Sequence, residues 1–312
     1  MRKLVIDIGY GDVKFKADDY LNKFPSTFVQ ETIFKDFKGE IRDRGYYKTG
    51  ERKLQYIIGL KNESDKGEID YINRYDELVK FAPFFIYHAI QILKKDGIDT
   101  HFDKLVTGLT LREWNKKEKF FNAVKEIDIN GEKITFGKRI AYIQGQGIYY
   151  NNTTEEERKK YICVLDIGYN TVDILLFKDS RIIEEKSTVR TFGVEIMVNN
   201  LQNFINQQYE DENISEQQAK IAIEKKEIDI KGNMVDIESV VNDLISKFAV
   251  DTIHFIEKHL RKYSVSKVII SGGGAYLLEN VPMRDLYVFS KKPYEFQNVI
   301  GYYERDKNKD KE

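Results

Sequence analysis

The sequence Asp-Ile-Gly-Tyr occurs twice in this chain, at residues 7–10 and 166–169. Each copy closes a short apolar run, at residues 4–6 and 162–165, and is followed by a second run with the character of a strand. An apolar strand, a turn of small residues and a returning strand are typical of a β-hairpin. Because chance rarely supplies this pattern twice, the repeat predicts two domains that share a core topology.

The length and composition agree with two domains. At 312 residues the chain exceeds what one compact core usually holds, and two domains of roughly 150 residues each are the natural division. The 50 basic and 51 acidic residues nearly cancel, so we expect no direct binding of nucleic acid or of an anionic membrane. The only cysteine, Cys163, lies in an apolar run, and no run approaches the length of a membrane span. We therefore expect a cytoplasmic protein.

Strands and helices are interspersed in both halves, which predicts an α/β fold. Apolar patterning predicts strands at 46–60, 104–109, 181–187 and 267–270, and helices at 76–95, 113–124, 194–208, 215–224 and 237–263. The helix at 76–95 contains Pro83, which should kink it. Asn130-Gly131 predicts a two-residue hairpin turn within residues 127–136, and Ser215 with Gln218 has the spacing of a capping box.

Domain boundaries follow from polar stretches. We place the first domain at residues 1–148 and the second at 149–292, with a polar surface loop at 151–157 near the boundary. In the remaining segment, 293–312, a short helix is predicted at 296–303. Its charged tail, 304–312, is predicted to be disordered because it is too polar to order itself.

The two glycine turns could bind phosphate. Glycine lets backbone amides approach an anion without a Cβ in the way, although a single turn of this kind is more often a tight hairpin without a ligand. Asp7 and Asp166 each end an apolar strand, where a buried carboxylate is costly unless a cation or hydrogen bonds compensate it. The two carboxylates could hold hydrated Mg²⁺, which takes few direct protein ligands, and Lys14 could reach a β- or γ-phosphate.

Three segments together resemble a known superfamily. Residues 7–14 resemble the first phosphate motif of the actin, sugar-kinase and heat-shock ATPase superfamily, 166–173 the second, and 269–275 its adenosine motif. Within the superfamily the likeness is to bacterial and archaeal actin-like ATPases of the plasmid-segregation type, ParM and StbA. It extends to residues 107–109, 193–195 and 298–302. The chain departs from the family at Thr110, where proline is common, and at Asp12, where Asn, Ser or Gly is usual.

The resemblance implies a fold. It implies two similar actin-like, ribonuclease H-like domains, each with a mixed five-stranded sheet flanked by helices, and a nucleotide cleft between them. By the same resemblance, the C-terminal segment should fold back onto the first domain. ATP and Mg²⁺ are the implied ligands, with Mg²⁺ held through water by Asp7 and Asp166.

The resemblance also implies roles for particular residues. In actins a Gln or Glu after the last strand of the first domain orients the attacking water. Gln144 fits that position and Gln146 is its rival, so the catalytic set is Gln144, Asp7 and Asp166. Lys220 and Glu224 are expected on the purine side. The nucleotide-binding residues so implied are Gly9, Tyr10, Gly11, Asp12, Lys14, Gly168, Tyr169, Asn170, Thr171, Asp173, Gly193, Glu195, Lys220, Glu224, Gly272, Gly273, Gly274 and Tyr276.

Three functions are compatible with these features. The first is an ATPase that polymerises into dynamic filaments and segregates plasmid DNA, or positions a cargo, with an adaptor protein as a further partner. The second is a small-molecule kinase of the same superfamily, for which no convincing catalytic Asp is found in the first domain. The third is a weakly hydrolysing assembly or adaptor protein. Walker and Gly-x-Ser-x-Gly motifs are absent from the sequence, which argues against a P-loop NTPase and a serine hydrolase.

Overall fold

A computed structural model describes residues 1–31, 45–49, 54–60, 70–72, 74–209 and 213–309. The chain forms two compact units, the first comprising residues 1–153 with 291–312 and the second residues 154–290. The division after residue 148 predicted from sequence therefore lies a few residues before the observed one. Residues 50–53 of the predicted 46–60 strand and residues 310–312 of the predicted tail lie outside the described residues.

The first unit begins with a run of strands. The elements of residues 1–153 are β1 (Lys3–Ile8), β2 (Asp12–Ala17), β3 (Tyr20–Pro25), β4 (Thr27–Glu31), β5 (Gly45–Thr49), β6 (Leu54–Ile58), β7 (Asp70–Tyr71), α1 (Tyr75–Lys95), β8 (Lys104–Leu109), a 3-10 segment Leu111–Lys116, α2 (Lys117–Ala123), β9 (Glu126–Ile129), β10 (Glu132–Thr135), β11 (Lys138–Ile143) and α3 (Gln146–Asn151).

The second unit follows the same plan. Its elements are α4 (Glu155–Arg158), β12 (Tyr161–Ile167), β13 (Val172–Lys178), β14 (Arg181–Ile182), β15 (Thr188–Arg190), α5 (Glu195–Gln208), α6 (Glu216–Lys225), β16 (Glu227–Ile230), β17 (Asn233–Asp236), α7 (Glu238–Leu260), β18 (Val265–Ser271) and β19 (Tyr287–Phe289). The chain then returns to the first unit through α8 (Gln297–Lys309).

Both units are built on a mixed sheet. In the first, five strands have the order β11-β8-β1-β2-β3, with β8 parallel to both β1 and β11 and β2 antiparallel to β1. In the second, the order is β14-β13-β12-β18-β19, β12 is parallel to β18 and antiparallel to β13, and β15 also pairs with β13. The predicted α/β fold with mixed sheets flanked by helices is confirmed, although the second sheet has six strands.

The core of the first unit is closed by α1, whose apolar residues recur at helical spacing as expected. Phe81 and Phe85 on α1 are almost fully buried, and each such side chain contributes roughly 1.5–3 kcal/mol of hydrophobic free energy. His88 on the same helix is fully buried, and its Nδ1 forms a hydrogen bond with the hydroxyl of Tyr47. Burial lowers the pKa of His88 to about 3, so the ring is neutral at physiological pH.

Each unit also carries an isolated two-stranded hairpin. The predicted one, β9–β10, turns at Asn130 and Gly131, which both have positive φ. The second, β16–β17, was not predicted, yet its first strand repeats the sequence Glu-Ile-Asp-Ile of β9 and its turn at Lys231 and Gly232 also has positive φ. Lysine in the left-handed region is uncommon, and this hid the second turn from sequence analysis.

Several local predictions were wrong. The predicted loop at 151–157 contains the end of α3 and most of α4, which begins with a capping box formed by Thr154 and Glu157. The predicted strand at 181–187 ends at Ile182 and gives way to a 3-10 turn. The predicted helix at 113–124 begins as a 3-10 segment and becomes α-helical at Lys117.

The prediction of a disordered tail was wrong for the described residues 304–309, which are the second half of α8. Asp306 in this half is only 1 % exposed and lies 3.0 Å from Nζ of Lys3 and 2.9 Å from Nζ of Lys104. The attraction between the buried carboxylate and the two buried ammonium groups offsets the cost of removing these charges from water. These ion pairs explain why a segment of such polar composition is ordered as a helix. The helix is thereby tied to the first strand and to β8.

Candidate functional site

The first glycine turn joins β1 to β2 and is braced by Ser26. Gly9 N–H donates to the carbonyl of Asp12 at 3.1 Å and closes the turn. The hydroxyl of Ser26 donates to the Gly9 carbonyl at 2.5 Å, and Ser26 N–H donates to the Gly11 carbonyl at 3.1 Å. Ser26 is fully buried, so it holds the first turn through two hydrogen bonds that are shielded from water.

Charged groups lie beside the first turn. Asp7 pairs in register with Lys14 across β1 and β2 and is only 5 % exposed. The Lys14 ammonium donates to the Asp12 carbonyl at 3.2 Å, so this cation lies against the turn. The carboxylate of Asp12, the residue that departs from the family pattern in this turn, forms an ion pair with Lys23 at 3.4 Å.

The second turn, between β12 and β13, repeats the first. Gly168 N–H donates to the Thr171 carbonyl at 2.8 Å, the same spacing from Asp166 as Gly9 and Asp12 have from Asp7. Asp166 pairs in register with Asp173, whose carboxylate accepts from the Thr171 hydroxyl at 3.1 Å. Lys14 and Asp173 thus occupy equivalent positions with opposite charge.

The start of α5 packs on the second turn. Gly193 N–H donates to the Asn170 carbonyl at 3.2 Å, and Glu195 N–H donates to the Tyr169 carbonyl at 2.9 Å. A Cβ on Gly193 would lie 2.1 Å from the Tyr169 carbonyl oxygen, so only glycine allows this approach. The sequence-predicted Gly193 and Glu195 are therefore joined to the turn through the backbone.

The third glycine segment follows β18 and contacts the end of β12. Gly272 has φ of 88°, and a Cβ on it would lie 2.5 Å from Oδ1 of Asp166. A Cβ on Gly274 would lie 2.3 Å from the side chain of Ile167. Gly273 has open space around it, and the Tyr276 side chain is 39 % exposed. In the first unit, a Cβ on Gly108 in β8 would lie 3.1 Å from Oδ1 of Asp7.

Gln144 and Gln146 have different surroundings. The amide of Gln144 donates to Oδ1 of Asp7 at 2.8 Å, next to the first turn. The side-chain oxygen of Gln146 instead accepts from the backbone N–H of Ile143 at 3.0 Å, at the start of α3. Gln146 is therefore occupied in capping the end of β11, whereas Gln144 adjoins the carboxylate.

Lys220 lies close to the second turn and Glu224 does not share its contacts. The ammonium of Lys220 is 3.9 Å from the centroid of the Tyr169 ring. Glu216 on the same helix accepts from the Tyr169 hydroxyl at 2.7 Å and from Lys220 at 2.5 Å. Glu224 is one helical turn beyond Lys220 and is exposed.

Sequence reasoning missed Ser26, Lys23 and Glu216 among these residues. Ser26 and Lys23 meet the first turn through strand β3 and the residues after it, and no local pattern marks those contacts. Glu216 could have been found from its position one helical turn before Lys220, because residues four apart on a helix are neighbours.

The arrangement fits a phosphate-bearing ligand. Both turns are glycine-rich loops at strand ends, and the side-chain oxygen of Asn170 is buried with no hydrogen-bond partner among the described residues. This oxygen can only accept a hydrogen bond, so its partner must be a donor such as water or a ligand hydroxyl, and not a phosphate oxygen. Within the described part of the chain, no cluster of three or more His, Cys, Asp or Glu side chains could hold a metal ion by itself. A Mg²⁺ ion carried by phosphate and held by few protein groups fits this donor set.

No helix among the described residues has both the length and the hydropathy needed to cross a membrane.

Comparison with known proteins identifies the fold. Residues 164–281 match the model of a family described as archaeal actin homologue MreB-like, C-terminal. The whole chain is similar to the crystal structure of Ta0583, an archaeal actin homologue, with a TM-score of 0.80 and 21% identity over 99% of this chain and 100% of that one. A structure of Ta0583 in complex with ADP is also similar, with a TM-score of 0.78 and 20% identity over the same shares of the chains.

Two ParM structures are similar as well. The chain matches a 15-stranded ParM filament from Clostridium botulinum with a TM-score of 0.79 and 22% identity over 98% of this chain and 99% of that one. It matches Bacillus thuringiensis ParM with ATP with a TM-score of 0.72 and 13% identity over all of both chains. No curated protein sequence matches the chain. The resemblance stated from the three motifs is confirmed, and the TM-scores over nearly the whole chain establish the actin-like fold.

Proposed function

Because the chain has an actin-like fold, we propose that it is an ATPase of the actin type that assembles with copies of itself into filaments. Groups of both glycine turns bind the phosphates of ATP, with Lys14 as a point charge and the turn amides as hydrogen-bond donors. Asp7 and Asp166 hold Mg²⁺ through its waters. Mg²⁺, when bound, neutralises charge on the phosphates.

The observation that carries this proposal is the hydrogen bond from Gln144 to Asp7, 2.8 Å long, at the edge of the first turn. A glutamine is a poor base, so its part is to orient the attacking water by hydrogen bonds. The hydrogen bond to Asp7 fixes the orientation of the Gln144 side-chain amide. It thereby fixes the direction from which the amide oxygen of Gln144 accepts a hydrogen bond from water. The side-chain oxygen of Gln146 is less able to orient a water, because it already accepts a hydrogen bond from the backbone N–H of Ile143.

Self-assembly is supported by the likeness of the fold to that of the ParM filament. ATP as the nucleotide is supported by the ADP and ATP complexes among the similar structures. We further propose that the filament segregates DNA or positions a cargo through an adaptor protein, in the cytoplasm.

The test combines sedimentation with phosphate release in Mg-ATP, Mg-ADP and no nucleotide. We expect the wild-type protein to sediment with Mg-ATP and then to release phosphate. Gln144→Ala should still bind and sediment with Mg-ATP but release phosphate about 100-fold more slowly, because the water loses its orienting group. Asp166→Ala should lose nucleotide-dependent sedimentation.

The matched control is Gln146→Ala, which removes a neighbouring glutamine that caps a strand end. It should lower the free energy of unfolding by about 1 kcal/mol and leave the rate of phosphate release within about threefold of wild type. Hydrolysis without sedimentation would exclude the filament part of the proposal. Equal rates for wild type and Gln144→Ala would exclude the role of Gln144.

A further inference from the structure

Helix α8 holds the loop that carries Gln144 on both sides of that residue. Tyr302, which is fully buried, directs its hydroxyl to the carbonyl of Ile143 at 3.4 Å. On the other side, the side-chain oxygen of Asn298 accepts from the backbone N–H of Gly145 at 2.8 Å. Gln144 therefore lies between two peptide groups whose positions are set by α8.

The contact with Asn298 has a conformational role. Gly145 adopts the left-handed conformation, with φ of 90° and ψ of −23°, and the chain reverses here from β11 into α3. Its N–H is buried, so loss of the acceptor would leave an unsatisfied donor at the residue that sets the direction of Gln144. The loop would then be free to rotate about the Gly145 dihedrals, which cost little to change in glycine.

Asn298 is itself held rigidly. Helices α3 and α8 cross at two glycines: a Cβ on Gly301 would lie 1.9 Å from the Gly147 carbonyl oxygen, and one on Gly147 would lie 2.2 Å from the Asn298 carbonyl oxygen. The backbones are thus in direct contact. At the far end of α8, Asp306 is anchored between Lys3 and Lys104.

We propose that Asn298 is a positioning residue for Gln144, and that the C-terminal helix sets the rate of the hydrolytic step through this hydrogen bond. The inference rests on the proposed function, because it assumes that Gln144 orients the attacking water. A displacement of about 1 Å in such a group costs up to about 100-fold in rate.

The experiment compares Asn298→Ala with Asn298→Asp. The alanine variant removes the acceptor, and the aspartate variant keeps an oxygen where Gly145 N–H can reach it. We expect kcat for phosphate release to fall about 10- to 100-fold in Asn298→Ala, with KM for Mg-ATP unchanged within about threefold. Asn298→Asp should recover most of the rate. If Asn298→Ala does not fold, Asn298→Ser replaces it, because the serine side chain is too short for its oxygen to reach the backbone N–H of Gly145.

A double mutant separates positioning from general loss of structure. If Asn298 acts through Gln144, the double variant Asn298→Ala with Gln144→Ala should be no slower than Gln144→Ala alone, because the effects of residues that act as a unit are not additive. Losses that multiply in the double variant would overturn the proposal. A normal kcat in Asn298→Ala, or an aspartate variant as slow as the alanine variant, would also overturn it.

The same data distinguish this inference from the proposed function. A wild-type protein that releases no phosphate contradicts the ATPase itself. Suppose instead that the wild-type protein releases phosphate, that Gln144→Ala releases it slowly and that Asn298→Ala releases it at the wild-type rate. This result contradicts only the role of Asn298.

Discussion

His88 lies on α1 with its ring fully buried, its Nδ1 bonded to the Tyr47 hydroxyl and its edge against the Phe24 ring at 4.5 Å between centroids. Burial lowers the pKa of His88 from 6.5 to about 3. The unfolded chain therefore binds a proton on this side chain at pH values where the folded chain does not. Stability from this residue is fully present above pH 6.5 and is lost as the pH falls toward 3.

We predict that His88 gives the free energy of unfolding a slope of up to about 1.4 kcal/mol per pH unit below pH 6.5. The measurement is denaturant unfolding between pH 8 and pH 5, in wild type and in His88→Gln, which keeps an acceptor but does not titrate. The variant should be less stable at pH 8 and should lose less stability on acidification. Parallel curves for the two proteins would mean that His88 does not contribute, since buried carboxylates affect both proteins alike.

For single residues, the sequence could propose candidates where the motifs or the family resemblance marked a position. Asp7, Gly9 and Gln144 were identified from the motifs and their spacing, and the structure brings Asp7 and Gln144 within hydrogen-bond distance. Ser26 and Lys23 could not be found, because each meets the first turn through chain segments whose approach depends on the sheet. The different contacts of Gln144 and Gln146 likewise depend on the fold and could not be predicted from the sequence.

Among the elements, the crossing of α3 and α8 depends on two glycines in contact. We predict that Gly301→Ala lowers the free energy of unfolding by about 1–3 kcal/mol, because the new Cβ meets the backbone of Gly147, which cannot yield as a side chain would. Gly137→Ala is the control: its nearest neighbour would be the Asp103 carbonyl at an ordinary 3.4 Å. Thermal unfolding of both variants tests this, and equal stabilities would contradict the close crossing.

Elements with strong local signals were predictable. The capping box of Ser215 and Gln218 begins α6 as expected, and Asn130-Gly131 turns the β9–β10 hairpin. The second half of α8 was not predictable, because its order comes from the ion pairs of Asp306 with lysines far away in sequence. Composition alone predicted disorder there, and tertiary contacts override composition.

In the sequence, the second unit is one continuous segment inserted between the two parts of the first unit. Its residues 154–290 have their own core, in which Leu165, Leu176 and Ile269 are almost fully buried. The chain leaves and re-enters the first unit at adjacent points, since Lys291 N–H donates to the side chain of Asn152 at 2.8 Å. Each unit should therefore be able to fold without the other.

We predict that residues 154–290 fold when expressed alone, and that residues 1–153 fold only when joined to residues 291–312. A Gly-Ser linker of about four residues spans the short gap at Asn152 and Lys291. Circular dichroism and amide hydrogen exchange of the three fragments test this. A cooperative, stable fragment 1–153 without α8 would contradict it.

The pairing of Lys3 with Asp306 also fixes an order of events during translation. The two residues are separated by 303 positions, and a ribosome adding about 5–20 residues per second needs roughly 15–60 s to join them. The inserted unit is complete before the anion that neutralises Lys3 and Lys104 has been made. The nascent first unit therefore lacks the carboxylate that pairs with Lys3 and Lys104, and its final closure follows synthesis of the helix that holds the Gln144 loop.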